Sequence, residues 1–499
     1  MSAERTSIHG QWSGRLAFIL AASGSAIGLG NIWKFPYIAG KYGGGAFVLV
    51  YLICIAVIGI PIMMAEVMLG RRGRQSPINT MRTLAAEEYV SPHWQWLGWG
   101  GVIAGFLILS YYSVVAGEAL AYVFRTGAGL FDGATADGVR TIFARFVSDP
   151  EHLLAWHTIF MGMTMIVVAR GVRSGLERAV RFMMPALLVI LLVLVGYAMN
   201  TSQFGNALAF MFKPDFHHLF YAQDASGNLL LNAEGQRIFT WNGVLVALGH
   251  AFFTLSLGMG AIMVYGSYLR KDASIAKTTL VIAAMDTVVA LLAGMAIFPL
   301  VFANNLPPGT GSGLIFETLP IAFGHMPGGA FFGCLFFILL VFAAWTSAIS
   351  LMEPAVTWLV ENRGHSRVHA VVLVGVLIWL LGIASVFSAA GVTLRDIVTS
   401  VAAAVGIHDL ELPQRFFSLS AFGLIDYLTA NIMLPLGGLL TALFAGWAMR
   451  EQAAREELGI RLPGGYAAWR IMIRYVTPVA VILVFLNVVG AFDWVRSGF

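Results

Sequence analysis

Two stretches of this chain place glycines and hydroxyls where an apolar helix would otherwise continue. The first reads Ser23-Gly24-Ser25-Ala26-Ile27-Gly28-Leu29-Gly30-Asn31, and the second runs from Phe252 through Thr254, Ser256 and Gly258 to Gly260. Backbone that leaves the helix frees carbonyls for cations and amides for an anionic group, and at membrane depth it is tolerated only where it lines a site. Small residues also let helices pack closely, and for either stretch alone that reading stands beside the first. Glu66, His250, Asp286 and Glu353 are among the ionisable side chains that lie inside apolar runs. Each costs at least ~2.5 kcal/mol at the bilayer centre by insertion scales, so each needs a partner or a task. The chemistry implied is the binding of a small charged solute. Bond-making machinery is missing: there is no H-E-x-x-H, no G-x-S-x-G and no P-loop.

The elements that position these residues follow from composition. The chain has 499 residues, 58% apolar and 11% charged, with a mean hydropathy of +0.79. Soluble domains carry about 25% charged residues, so soluble, disordered and coiled-coil classes are excluded. Each crossing needs ~20 apolar residues, and runs of that length occupy 15–39, 46–70, 96–124, 153–170, 182–199, 242–269, 278–303, 329–360, 369–389, 417–448 and 471–493. The expected fold is an all-α membrane protein of eleven transmembrane helices. Cys54 and Cys334 both sit in apolar runs and read as small core residues.

Loop charge sets the orientation. With the N-terminus inside, the cytoplasmic loops hold 17 Lys and Arg, against 8 in the longer outer loops. The positive-inside rule then places the N-terminus in the cytoplasm and the C-terminus outside. The net charge of +4 is a topology signal, and no nucleic-acid partner is expected. The interrupted spans, the first and the sixth, each open a unit of five. Five is odd, so the second unit inserts inverted, and matched interruptions in two inverted halves point to a transporter's central site. The segments are 1–14 (cytoplasmic), 15–200 (first repeat), 201–241 (outer loop), 242–448 (second repeat), 449–470 (cytoplasmic connector) and 471–499 (eleventh helix and outer end).

On these residues the chain resembles the neurotransmitter:sodium symporter family, in its bacterial amino-acid branch. The carriers are Gly28-Leu29-Gly30-Asn31, Phe35-Pro36, Gly43 to Phe47, Gly59-Ile60-Pro61 with Glu66, Tyr111-Tyr112, Ala251 to Gly260 with Tyr268, Ala343 to Pro354 and Asp426 to Gly438. They spread over spans one to ten; the eleventh span is outside the signature. The resemblance implies sodium-driven uptake of an amino acid by alternating access at a bacterial inner membrane, with two sodium sites. One would use Gly24, Ile27, Ala343, Thr346 and Ser347. The other would use Ala26, Asn31, Thr254 and Asp286 with the substrate's carboxylate. A single copy would suffice for transport in the lipid bilayer, with higher assemblies open.

The resemblance also implies the substrate class. Amine-carrying members have an aspartate at the position of Gly28, so here the solute must bring its own carboxylate. That group would meet the Leu29 and Gly30 amides at a half-helix N-terminus and the Tyr112 hydroxyl. The ammonium would meet carbonyls near Ala26, Phe253 and Thr254, with Ser256 beside them. Ile108, Tyr112, Phe253, Ser256, Met259, Ser347 and Leu351 would form an uncharged pocket, favouring a neutral hydrophobic amino acid. Met259, often phenylalanine in the family, is adaptable and suggests a range of branched or aromatic ligands.

Departures from the family pattern carry further expectations. Asp286 replaces the neutral residue of chloride-requiring members, so transport should not need chloride, and His250 stands where glutamine is usual. Lys34 and Asp426 match the outer gate, although lysine cannot make the arginine fork. Tyr112 and Phe253 would form the lid beneath it. At the inner gate the usual arginine, three residues before Trp12, is His9. It faces Glu361, with Tyr268 helping to close; Arg5 as a substitute and a pH-responsive gate are both open. Glu66 and Glu353 are expected to accept freed backbone amides. Gly175 and Pro185 match a spacing that marks an unwinding half-helix. The rival readings are a non-transporting amino-acid sensor on the same fold and a proton-coupled symporter.

Overall fold

The computed structural model describes residues 5–223, 229–232, 234–306, 308, 313–393, 399 and 420–488. Described residues are helical except for turns, loops and isolated β-bridges such as Tyr221 with Phe239. In chain order the apolar helices are α1 (Arg15–Ala26), α2 (Gly30–Lys41), α3 (Gly45–Gly73), α4 (Pro77–Glu87), α5 (Pro92–Gly127), α6 (Pro150–Ala169) and α7 (Val172–Ala198). They continue as α8 (Asn242–Thr254), α9 (Ala261–Ser267), α10 (Ile275–Ala303), α11 (Gly329–Arg363), α12 (Arg367–Ala389), α13 (Ala421–Ala448) and α14 (Gly465–Leu486). Nine of these are long and apolar enough to cross a membrane, and α1 with α2 makes a tenth span bent by 50°. Helices α5 and α11 are buried over most of their length, whereas α6 and α14 expose most of theirs. Of the site-bearing helices, α1 and α9 pack against α11, α2 packs against α10, and α8 packs against α3 and α13.

Both interruptions fall where the glycines and hydroxyls predict. At the first, Ile27 leaves helical geometry (φ −72°, ψ 100°) and the helix resumes at Gly30 as a π-turn. At the second, α8 ends at Thr254 and α9 starts at Ala261. Each break sets a helix C-terminus, rich in free carbonyls, against a helix N-terminus, rich in free amides. Within the second, Ser256 takes φ +54° and Gly258 φ +79°. A Cβ on Gly258 would lie 2.3 Å from the Leu434 carbonyl oxygen. Glu66 accepts the freed Gly258 amide at 2.7 Å, as expected of it. Gly258→Ala should therefore lower the thermal midpoint of the purified protein. Left-handed backbone alone costs about 1–2 kcal/mol, and an unchanged midpoint would mean that the break is not held this way.

Three boundaries differ from the sequence expectation. The fifth span begins at Val172, ten residues before 182, because Arg173, Arg178 and Arg181 lower the local hydropathy without ending the helix. The eleventh begins at Gly465 instead of 471. The tenth begins at Ala421, and residues 417–419 lie outside the described ones. Glu353 also differs: it takes no backbone amide but pairs with Arg367 at 2.5 Å and accepts from the Tyr268 hydroxyl at 2.9 Å. A buried carboxylate is satisfied by whichever donor reaches it, and the start of α12 brings a guanidinium.

Candidate functional site

Asp286, fully buried on α10, anchors one polar cluster. Asn31 donates to its Oδ1 at 2.8 Å and to its carbonyl at 3.1 Å. Thr254 donates to the carboxylate at 3.1 Å. Asn31 is itself oriented by the Gly28 amide, which donates to its Oδ1 at 3.0 Å. These residues come from α2, α8, α10 and the first break, so the cluster ties both interruptions to one carboxylate. The sequence reading missed its fourth member: Tyr51 on α3 donates to Asp286 Oδ2 at 3.3 Å. Nothing polar flanks Tyr51 in sequence, so no local signal marked it. His250 lies behind Tyr51, among Phe35, Phe47 and Tyr51, with ring centroids 5.4–6.4 Å away.

A second set joins α1 to α11. A Cβ on Gly24 would stand 3.2 Å from the Thr346 Cβ and from the Met184 sulfur. Ser347 Oγ donates to the Ser25 and Gly24 carbonyls at 3.2 and 3.4 Å. Thr346 Oγ1 bonds back to Ala343 and Phe342. Gly24, Ala343, Thr346 and Ser347 are thus neighbours, and Ile27 follows at the break. Neutral oxygens grouped in this way suit a hard monovalent cation.

Between the two sets is a hollow of about 20 Å³. All the expected substrate residues except Thr254 line it, and Ser25 and Gly28 join them. Gly28 borders Tyr112 and Ser347 so closely that a Cβ would lie 2.9 Å from one hydroxyl and 2.5 Å from the other. The Leu29 amide donates to Tyr112 Oη at 3.2 Å, and Ser256 Oγ donates to the Ser25 carbonyl at 2.8 Å. The Phe253 ring packs over Gly30, where a Cβ would meet it at 3.1 Å.

The two approaches differ. On the side of the amino-terminal segment, buried Trp12 donates to the Tyr265 carbonyl at 3.1 Å and packs against Tyr268. His9 Nε2 meets Glu361 at 3.2 Å, while the same carboxylate accepts from the Ser76 amide and Asn79. Arg5 pairs with Glu87 instead, so it does not substitute at this closure. On the other side a cavity of about 490 Å³ reaches down to Leu29, Tyr112 and Phe253. Lys34 and Asp426 both line it without forming an ion pair: Lys34 Nζ lies 4.5 Å above the Phe253 ring, and Asp426 accepts from Tyr111 at 3.1 Å. The site is closed on one side and approached from the other.

The family model for the sodium:neurotransmitter symporters matches residues 9–129 and 148–437. The chain belongs to the sodium:neurotransmitter symporter family. That is a family of transporters, not an enzyme class, and the chain is a multi-pass membrane protein of it. Among relatives, the Bacillus subtilis protein YhdH, described as an uncharacterized sodium-dependent transporter, is 34% identical over 96% of this chain and 98% of its own length. A Haemophilus influenzae protein with the same description is 30% identical over 95% and 97%. The symporter fold is shared with the crystal structure of MhsT in complex with L-phenylalanine, at a TM-score of 0.82 and 38% identity, covering 96% of this chain and 99% of that one.

Proposed function

We propose that this symporter takes up a neutral hydrophobic amino acid, branched or aromatic, driven by two sodium ions and without chloride. The observation that carries the reading is the pair of interrupted helices meeting around a buried carboxylate with no basic partner among the described residues. Such a charge calls for a cation. Asn31, Thr254, Asp286 and the Ala26 carbonyl would hold one sodium. The Gly24, Ile27 and Ala343 carbonyls with Thr346 and Ser347 would hold the other. Gly28 leaves no built-in acid for an amine, so the solute's carboxylate would complete the first site. L-Phenylalanine on MhsT supports that class.

The remaining expectations form one proposal with it. Eleven spans in an inverted five-plus-five repeat would place the amino-terminal closure in the cytoplasm and the 490 Å³ cavity outside a bacterial inner membrane. Lys34 with Asp426 would close the outer path over Tyr112 and Phe253. His9, Trp12, Tyr268 and Glu361 would open the inner one. Coupling makes energetic sense. One sodium ion entering at ~100 mV yields ~2.3 kcal/mol, and a tenfold gradient adds ~1.4 kcal/mol. Two ions give roughly 7 kcal/mol, enough to concentrate a zwitterion about 10⁵-fold at the limit.

Proteoliposomes test this directly. An inward sodium gradient should drive accumulation of labelled L-phenylalanine or L-leucine, and choline in place of sodium should abolish it. Accumulation unchanged in choline would make the protein proton-coupled. Sodium-dependent binding without accumulation would make it a sensor. Thermal-shift screening of the twenty amino acids in sodium gives the ligand range, because a ligand at a hundred times its Kd adds about 2.7 kcal/mol of stability. Stabilisation by none of the hydrophobic ones would overturn the pocket assignment.

A further inference from the structure

The segment between α7 and α8 stands outside the proposed transport path. None of its described residues lines the 490 Å³ cavity or the central hollow. It begins with a short helix, Phe204–Phe212, that packs against α3 and α10. Phe210 meets Phe298 and Phe302, in the last two turns of α10, at ring distances of 5.1 and 5.5 Å. The helix therefore lies level with the end of a membrane span. A further helical turn, Phe216–Phe220, packs against α3 and α8. An antiparallel bridge between Tyr221 and Phe239 then returns the chain to Trp241, the residue before α8.

Phe216, Phe220, Phe239 and Trp241 form one run of rings, with neighbouring centroids 5.4–6.1 Å apart. Phe216 is 45% exposed, Phe239 43% and Trp241 52%. Exposed apolar side chains gathered in this way mark an interaction surface. On α3, against which the segment packs, Leu49 and Ile53 are exposed as well, so the apolar surface continues onto a membrane span. Lys213 and Arg237, close by in the chain, are exposed, while Asp215 is matched by His218 at 3.0 Å. Rings with basic neighbours at the end of a span are the composition of the membrane–water boundary, where amphipathic rings sit among headgroups and cations meet lipid phosphate. We propose that this face docks on the bilayer itself, with the rings of Phe216, Phe239 and Trp241 in the headgroup layer of the leaflet on the cavity side. The segment is then an anchor, joined to α8 with no residue between Trp241 and Asn242. The inference rests on the membrane placement of the family, and not on the proposed substrate or coupling ions.

The test uses the full-length protein in nanodiscs of phosphatidylethanolamine and phosphatidylglycerol. Cys54→Ala with Cys334→Ala removes the native thiols, and a nitroxide is attached at Phe239→Cys or, separately, at Phe216→Cys. Asp137→Cys, on an exposed helix between α5 and α6, is the water-facing reference. Power saturation reads collisions with oxygen, which concentrates in lipid, and with a water-soluble nickel chelate. At both positions the oxygen-to-nickel ratio should exceed that at 137 at least threefold. A ratio equal to that at 137, at either position, would overturn the proposal. So would protection from both reagents, which would mean that a protein surface covers the rings. An elution volume and thermal midpoint equal to those of the cysteine-free parent show that each labelled protein is folded. None of these readouts needs substrate or sodium, so the anchor and the transport function fail separately.

Discussion

Asp286→Asn should reduce chloride-free, sodium-driven uptake by about a hundredfold or more, and any residual activity should respond to added chloride. The carboxylate is fully buried and receives Asn31, Thr254 and Tyr51, all of them neutral. Its charge is therefore available to a cation. Removing one partner of a buried, desolvated charge pair costs about 3–5 kcal/mol, and each 1.4 kcal/mol is a factor of ten. Asparagine keeps the volume but turns an NH₂ towards groups that already donate, which adds to the loss. Initial uptake rates in proteoliposomes with gluconate or chloride as the anion give the measurement. Full chloride-free activity in the variant would remove the idea of a built-in anion.

Thr346→Ala combined with Ser347→Ala should raise the sodium concentration for half-maximal uptake at least tenfold, with little change in thermal stability in the absence of sodium. Two of five proposed ligands disappear. Hydrogen-bond-strength contacts to a charged group contribute about 1.5–3 kcal/mol each, so the loss should exceed one decade. Stability should hold because Thr346 bonds only within its own helix, to Phe342 and Ala343, and a back-bond of this kind adds little. Ser347 gives up its weak contacts of 3.2 and 3.4 Å to the first break. An unchanged sodium requirement would discredit the site away from the substrate.

The part of the site that was legible in sequence is the part written in the backbone. Glycine and serine at 23–31 and 252–260 announce both interruptions: close helix packing could explain either stretch alone, but their matched places in the first and sixth spans favour breaks. The intramembrane charges Glu66 and Asp286 were legible for a similar reason: their cost demands partners, and the structure supplies them. What stayed hidden depends on distance in the chain. Tyr51 reaches Asp286 across 235 residues, and its type is common in any apolar span. Arg367 answers Glu353 from the next helix, and nothing at position 353 distinguishes a guanidinium from an amide as the donor. Lys34 and Asp426 are compatible as a pair by charge, yet each has another neighbour here, since sequence cannot show which conformation a gate adopts.

The ring of Phe253 lies over Gly30 and leaves a central hollow of about 20 Å³. A bound solute of the proposed class therefore requires the hollow to widen, and the apolar area that its side chain covers must offset the contacts that the walls give up.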